Sequence, residues 1–171
     1  MERLYTPWRW DYMVNPKPKN CPFCEYLAQD AHHDPENLIL LRAPHTFIIL
    51  NRYPYSNGHL MVLPNNHVST LTVLDDATQF ELMKLTTYCT DILTQAYHPH
   101  GFNVGINIGK AAGAGMEEHL HIHIVPRWMG DTNFMPVIGK TKVMPETLDS
   151  VYARLKRIMQ EELPPPSFHD P

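Results

Sequence analysis

The sequence predicts an α+β domain built on a mainly antiparallel sheet. Short β-rich runs are joined by turn chemistry, and two longer segments repeat their apolar residues at helical spacing. The order along the chain is strands, helix, strands, helix. That order suits an antiparallel α+β fold rather than alternating parallel βα units.

The elements follow in chain order. Residues 1–20 are proline-rich and carry Trp8, Trp10 and Tyr12, which reads as an extended arm. "FIIL" (47–50) and "HLMVL" (59–63) are strands, and "NRYPYSNG" between them holds Pro54 and Asn57-Gly58, the chemistry of a longish hairpin loop. Residues 74–97 read as a helix capped by Asp75 or Asp76, with Phe80, Met83, Tyr88, Ile92 and Leu93 on its apolar face. "FNVGINIG" (102–109) alternates as a strand and runs into the glycine-rich "KAAGAG"; "HLHIHIV" (119–125) alternates again. Pro145 can open a last helix, 145–163, where Leu148, Val151, Tyr152, Leu155, Ile158 and Met159 recur at helical spacing. Residues 164–171 are expected to be a disordered tail. No repeat or long linker divides the chain, so residues 1–171 are read as one domain.

Composition narrows the function classes. The chain has 171 residues, 43% of them hydrophobic, and a formal net charge of -4. The absence of a basic stripe argues against a nucleic-acid platform, and the absence of a long apolar run argues against a membrane span. The N-terminus lacks the apolar middle of a signal peptide, so a cytoplasmic chain is expected. Small phosphorylated ligands stay open, because they need only local donors. Cys21 and Cys24 form "CPFC", a spacing that in a cytosolic protein points to metal or redox chemistry. Cys89 lies in the helix and reads as core.

The segment 119–125 carries the chemistry. On a strand, His119, His121 and His123 share one face while Leu120, Ile122 and Ile124 face the core. Successive rings are then about 7 Å apart, too far for three of them to hold one small ion but suited to handling different atoms of one ligand. A cupin-type metal site needs a jelly roll, for which the chain has too few strands. Neutral imidazole is a nucleophile when its other nitrogen is held as a donor. "GKAAGAGMEE", just upstream, can turn backbone N–H groups toward phosphate oxygens. Together these suggest attack on phosphorus through a phospho-histidine.

"HLHIHIV" resembles the signature of the histidine-triad (HIT) nucleotide hydrolases and transferases, and "LNRYPYSNGHLMVLPNNH" and "GFNVGINIGKAAGAG" resemble two further segments of that family. "LYTPWRWDYM" and "HLHIHIVPRWMGDTNFMPVIGKTKV" are similar to its bacterial diadenosine tetraphosphate phosphorylase branch. The resemblance implies a HIT-like fold, with a five-stranded antiparallel sheet, one long central helix and a C-terminal helix. It implies that His121 is the nucleophile, that His119 and His123 stabilise and orient the phosphate, and that His59 is a fourth active-site histidine. Asn51 matches the ribose position and Asn107 a phosphate-side position. Gly113, Gly115 and Met116 would offer backbone N–H groups, without the hydroxyl residue the family often carries there. Phe47, Ile48 and Leu50 are candidates for a base pocket.

The same resemblance completes a metal site from Cys21, Cys24, His67 and His119, with structural zinc as the expected cofactor and no metal demanded by the chemistry. It also implies a homodimer or a tetramer; the N-terminal arm and residues 126–134 are the candidate contacts. The expected activity is nucleotidyl transfer from a nucleoside polyphosphate to water or inorganic phosphate. A phosphoramidase acting at the same site and a nucleotide-binding sensor are the alternatives.

Overall fold

The computed structural model describes residues 20–113, 115–131 and 144–168. The expected arm, apart from Asn20, and residues 132–134 of the candidate contact segment lie outside the described residues. A short helix α1 (Pro22–Ala28) leads through a 3-10 turn into α2 (Asp34–Asn37). Strands β1 (Ile39–Arg42), β2 (Thr46–Leu50) and β3 (Leu60–Pro64) follow, then the long helix α3 (Asp76–Tyr97), β4 (Gly101–Ile106), β5 (Ile122–Arg127) and α4 (Leu148–Glu161). The strands form one sheet in the order β1-β2-β3-β5-β4, every pair antiparallel. No helix of the described residues is long and apolar enough to cross a membrane.

The sheet has two unlike faces, and the period-two alternation of its strands assigns them. Ile48, Val62 and Ile122 form one row across β2, β3 and β5. They are buried in the core shared with Leu82, Leu85, Cys89, Ile92 and Leu93 of α3 and Val151, Leu155, Ile158 and Met159 of α4. The neighbouring row, Ile49, Met61, His123 and Gly105, turns the other way. Helices α3 and α4 therefore occupy one face and leave the other to the histidines.

Several elements depart from the sequence reading. β1 is an edge strand within "LILLR"; its apolar run does not alternate and its pairing with β2 is irregular between Ile39 and Leu41, so no period-two signal marks it. α1 begins at Pro22, a residue well suited to a first helical turn, directly after Cys21. β4 stops at Ile106, and Gly109 at φ +78 turns the chain into a 3-10 turn at Lys110–Ala112. β5 starts at Ile122, so only His123 of the three histidines lies within it; the approach is held by Leu120 N–H on the Val68 carbonyl at 2.6 Å.

Helix α3 is capped by the Asp75 carboxylate, which accepts from Thr78 N–H at 2.7 Å. Tyr88, Ile92 and Leu93 are buried on it, but Phe80 and Met83, expected on the same face, are 67% and 60% exposed. The buried stripe runs through Leu82, Leu85 and Cys89, which places Phe80 and Met83 on the outer side. There Lys84 spans the Phe80 and Phe168 rings and donates to the Ser167 carbonyl at 2.8 Å, so the described end of the chain lies along α3.

Gly58 closes the β2–β3 connection one residue before His59. Its φ is +73, and an added Cβ would stand 2.8 Å from Leu93 Cδ2 and 3.1 Å from Tyr97 Cε2. Both backbone strain and overpacking oppose any side chain there. Gly58→Ala is expected to lower unfolding stability by about 2 kcal/mol or more. Urea denaturation checks this, and a midpoint equal to that of the unsubstituted chain would refute it.

Candidate active site and metal centre

His119, at the start of the triad, is fully buried, and each ring nitrogen has a distinct neighbour. Nε2–H donates to the Pro64 carbonyl at 2.9 Å. That fixes the tautomer and turns the Nδ1 lone pair toward Cys21 Sγ at 3.3 Å and Cys24 Sγ at 3.6 Å. His67 Nδ1 lies 3.3 Å from Cys24 Sγ. The four ligand atoms of Cys21, Cys24, His67 and His119 all lie within 4.8 Å of one another. In a tetrahedral site with metal–sulfur bonds near 2.3 Å and metal–nitrogen bonds near 2.1 Å, sulfur and nitrogen ligands stand about 3.6 Å apart. The cluster therefore has the spacing and donor set of a closed four-coordinate centre. Burial pushes His119 down to about 4, keeping it neutral and able to ligate. Burial first, then the neighbouring Cys21, push the Cys24 thiol up to about 11. Forming a thiolate there at neutral pH calls for a cation.

The backbone carbonyl of His119 has a second task. It accepts from His121 Nδ1–H at 2.8 Å. With the proton on Nδ1, the Nε2 of His121 carries the lone pair, and His121 lines an open cleft. Burial lowers its affinity for a second proton, which keeps the ring in this neutral, nucleophilic form.

A relay of tautomers also fixes His123. Tyr55 N–H donates to His59 Nδ1 at 3.1 Å, so His59 carries its proton on Nε2. That nitrogen lies 2.9 Å from His123 Nδ1, which must accept, leaving the His123 proton on Nε2. His121 and His123 meet with ring centroids 4.7 Å apart at 79°. They are closer than the strand repeat alone predicts, because the rings lean toward each other. A nucleophilic nitrogen and an N–H-bearing ring thus stand side by side on the cleft face.

The remaining candidates fall into three groups. Asn51, Asn107, Gly113, Gly115, Met116 and Leu50 line the same cleft as His121 and His123. Asn51 also behaves as a turn residue, since its Oδ1 accepts from Tyr53 N–H at 2.8 Å. His59 and His119 are fully buried behind the cleft. Phe47 and Ile48 do not line it. Phe47 is covered, with its ring edge-on to His119 at 6.5 Å, and Ile48 points into the helical core.

A family model described as the HIT domain matches residues 33–129. The chain belongs to the HIT family. It is 40% identical over 154 residues to the AP-4-A phosphorylase of Mycobacterium tuberculosis, an alignment covering 86% of this chain and 79% of that protein. Among solved structures, a Zn-bound histidine triad family protein from Mycobacterium smegmatis is similar at TM-score 0.66 and 24% identity, over 83% of this chain and 94% of that one. The Caenorhabditis elegans NitFhit protein is similar at TM-score 0.60 and 28% identity, over 72% of this chain; the matched region is 27% of that longer protein.

In this HIT protein several cleft residues escaped the sequence reading. Phe23 and Tyr26 of α1 line it, as do Leu38, Ile49 and Met61, with Tyr53 and Tyr55 from the β2–β3 connection. Ile49 was within reach: His59, Asn51 and Ile49 share one face by strand parity, which excludes Ile48. Phe23 was legible only once Pro22 is taken as a helix start.

The hydrogen-bond pattern predicts the tautomers of this HIT protein. Nitrogen-15 NMR of the histidine rings at neutral pH is expected to show His121 protonated on Nδ1, and His59 and His123 on Nε2. An Nε2–H tautomer at His121 would contradict the pattern.

Proposed function

We propose that this HIT protein is an enzyme that transfers a nucleotidyl group from nucleoside polyphosphates, diadenosine tetraphosphate among them, through a nucleotide held covalently on His121. The observation that carries this is the Nε2 lone pair of His121 presented to the cleft by the Nδ1–H bond to the His119 carbonyl. The 40% identity to a protein named AP-4-A phosphorylase supports the substrate class.

His121 Nε2 attacks the α-phosphorus, forming a P–N bond as the bond to the bridging oxygen breaks. The departing polyphosphate takes that oxygen and both bonding electrons. His123 Nε2–H and the backbone amides of Gly113, Gly115 and Met116 face the charge that develops, while Asn107 lines the same end and Asn51 meets the ribose. Fixed donors in a partly dry cleft supply the main stabilisation of such a transfer. The base lies between the α1 aromatics and Leu38 and Ile49, with Leu50 beside it. His119 and His59 position the reacting rings without touching the phosphate. An oxygen of water or inorganic phosphate then attacks the phosphorus from the vacated side and releases His121.

Incubation with diadenosine tetraphosphate is expected to give ADP and ATP when phosphate is the acceptor, or AMP and ATP when water is. His121→Ala is expected to abolish turnover while retaining nucleotide binding, and His123→Ala to lower kcat by about 100-fold or more. Wild-type turnover by the His121 variant would sink the mechanism.

Two thiolates and two imidazoles at tetrahedral spacing suit zinc. The ion would supply a rigid joint between α1 and the triad, held by Cys21, Cys24, His67 and His119. Protein purified without added metal is expected to hold one zinc per chain by elemental analysis, and the Cys21→Ser/Cys24→Ser variant none. Equal metal content in the two proteins would reject the site.

A further inference from the structure

One polar side chain in the cleft has no part in the chemistry described above. Asn37 ends α2 and is 8% exposed, yet it lines the cleft. Its Nδ2 turns to Gln29 just beyond α1, donating to Oε1 at 2.8 Å. The carboxamide oxygen has no partner among the described residues. The oxygen is not among the fully buried atoms left without a partner, so it is open to the cleft, where a ligand donor can reach it. Leu50 N–H donates to the Leu38 carbonyl at 2.9 Å, so Asn37 flanks the strand end that leads into Asn51. Between Asn37 and Asn51 the walls are Phe23, Tyr26, Leu38 and Ile49, a slot suited to a flat ring.

We propose that Asn37 reads the edge of the base, its carboxamide oxygen accepting from an exocyclic amine, so that the site selects 6-aminopurine nucleotides over 6-oxopurines. This rests on the reading of the cleft as a nucleotide site. A 6-oxo group would bring a second acceptor against the carboxamide oxygen, leaving both without a proton. Gln29 acts through Asn37: by taking Nδ2, it holds the oxygen toward the slot. The nearby cation, Arg52, directs Nη2 to the Glu36 carbonyl at 2.9 Å.

Calorimetric binding of three mononucleotides tests this without turnover: AMP, purine riboside 5′-monophosphate, which lacks only the amine, and IMP. The unsubstituted protein is expected to bind AMP about tenfold more tightly than the purine riboside nucleotide, and IMP more weakly still. Asn37→Leu is expected to bring AMP to within about twofold of the purine riboside nucleotide while leaving the latter unchanged, which also shows an intact cleft. Asn37→Asp keeps an acceptor, with Gln29 turned to donate, and is expected to keep the preference for AMP. Equal binding of AMP and the purine riboside nucleotide, a preference that survives Asn37→Leu, or no measurable AMP binding overturns the assignment. Tighter binding of IMP also overturns it and gives the edge to a donor such as Arg52. His121-dependent turnover with no base preference would sink the role of Asn37 alone. An Asn37-dependent preference without His121-dependent turnover would sink the enzyme reading alone.

Discussion

The position of the His121 nucleophilic nitrogen depends on the way His119 is held. One residue joins three constraints: its Nε2–H is fixed by the Pro64 carbonyl, its Nδ1 faces the two cysteines, and its own carbonyl takes the Nδ1 proton of His121. Pro64 ends β3, Cys21 and Cys24 bracket the start of α1, and His121 leads into β5. The tautomer of the central ring is thus set by backbone that three separate elements hold in place. A histidine on an open strand would interchange its two neutral forms; here one is selected by a hydrogen bond that is itself buried. Hydrogen-bond partners of this sort orient metal ligands, and here the same residue also fixes the ring of His121.

The asymmetry of the sheet explains why the cleft lies where it does. α3 and α4 cover one face with a continuous apolar core, so the opposite face is free to carry polar rings without sacrificing that core. Among the described residues, what covers the histidine face is slight. α1 has seven residues, none buried, and no side-chain cap at its start. It is held by its cysteines, by Arg42 Nη1 and Nη2 on the Leu27 and Tyr26 carbonyls, and by Phe23 against the rings of His119 and His121. A helix this short is marginal alone. A four-coordinate metal would therefore do more for the cleft wall than for the domain core, because Phe23 and Tyr26 ride on that helix.

Legibility in the sequence followed periodicity. The hairpin about Asn57-Gly58, the long helix with its Asp75 cap and the histidine alternation were readable because each has a strong local signal. The edge strand "LILLR" has no alternation, and α1 is too short for a period, so the residue pattern alone missed both. Phe80 and Met83 were misplaced because apolar residues on both sides of α3 compete for one stripe, and packing against the sheet and α4 decides between them. The chemistry-bearing side chains were legible as a motif, whereas much of the cleft wall was not: Phe23 and Leu38 come from segments whose approach is tertiary. Ile48 in place of Ile49 shows how a shift of one residue on a strand exchanges core for cleft.

On the proposed function, the cleft would recognise the phosphates and the base of a nucleotide by different means. Gly113, Gly115 and Met116 line the cleft, and on the function proposed above they would offer backbone amides to the charge of the phosphates. Residues 115 and 116 carry no hydroxyl side chain, so contacts there would be to phosphate charge alone. The discrimination proposed above falls to the part of the cleft at Asn37 and Leu38, where the backbone is under strain. Leu38 lies at φ +64, a conformation that costs a non-glycine residue about 1–2 kcal/mol, yet it is 96% removed from solvent (4% exposed) and walls the cleft. Its N–H closes α2 on the Asp34 and Pro35 carbonyls, so the same turn that strains Leu38 ends the helix at Asn37 and sets that carboxamide into the slot. Strain of this kind persists where surrounding structure over-determines it, commonly at ligand sites. On the reading proposed above, selectivity would reside in this left-handed helix end rather than in the triad, which any nucleotidyl donor could satisfy.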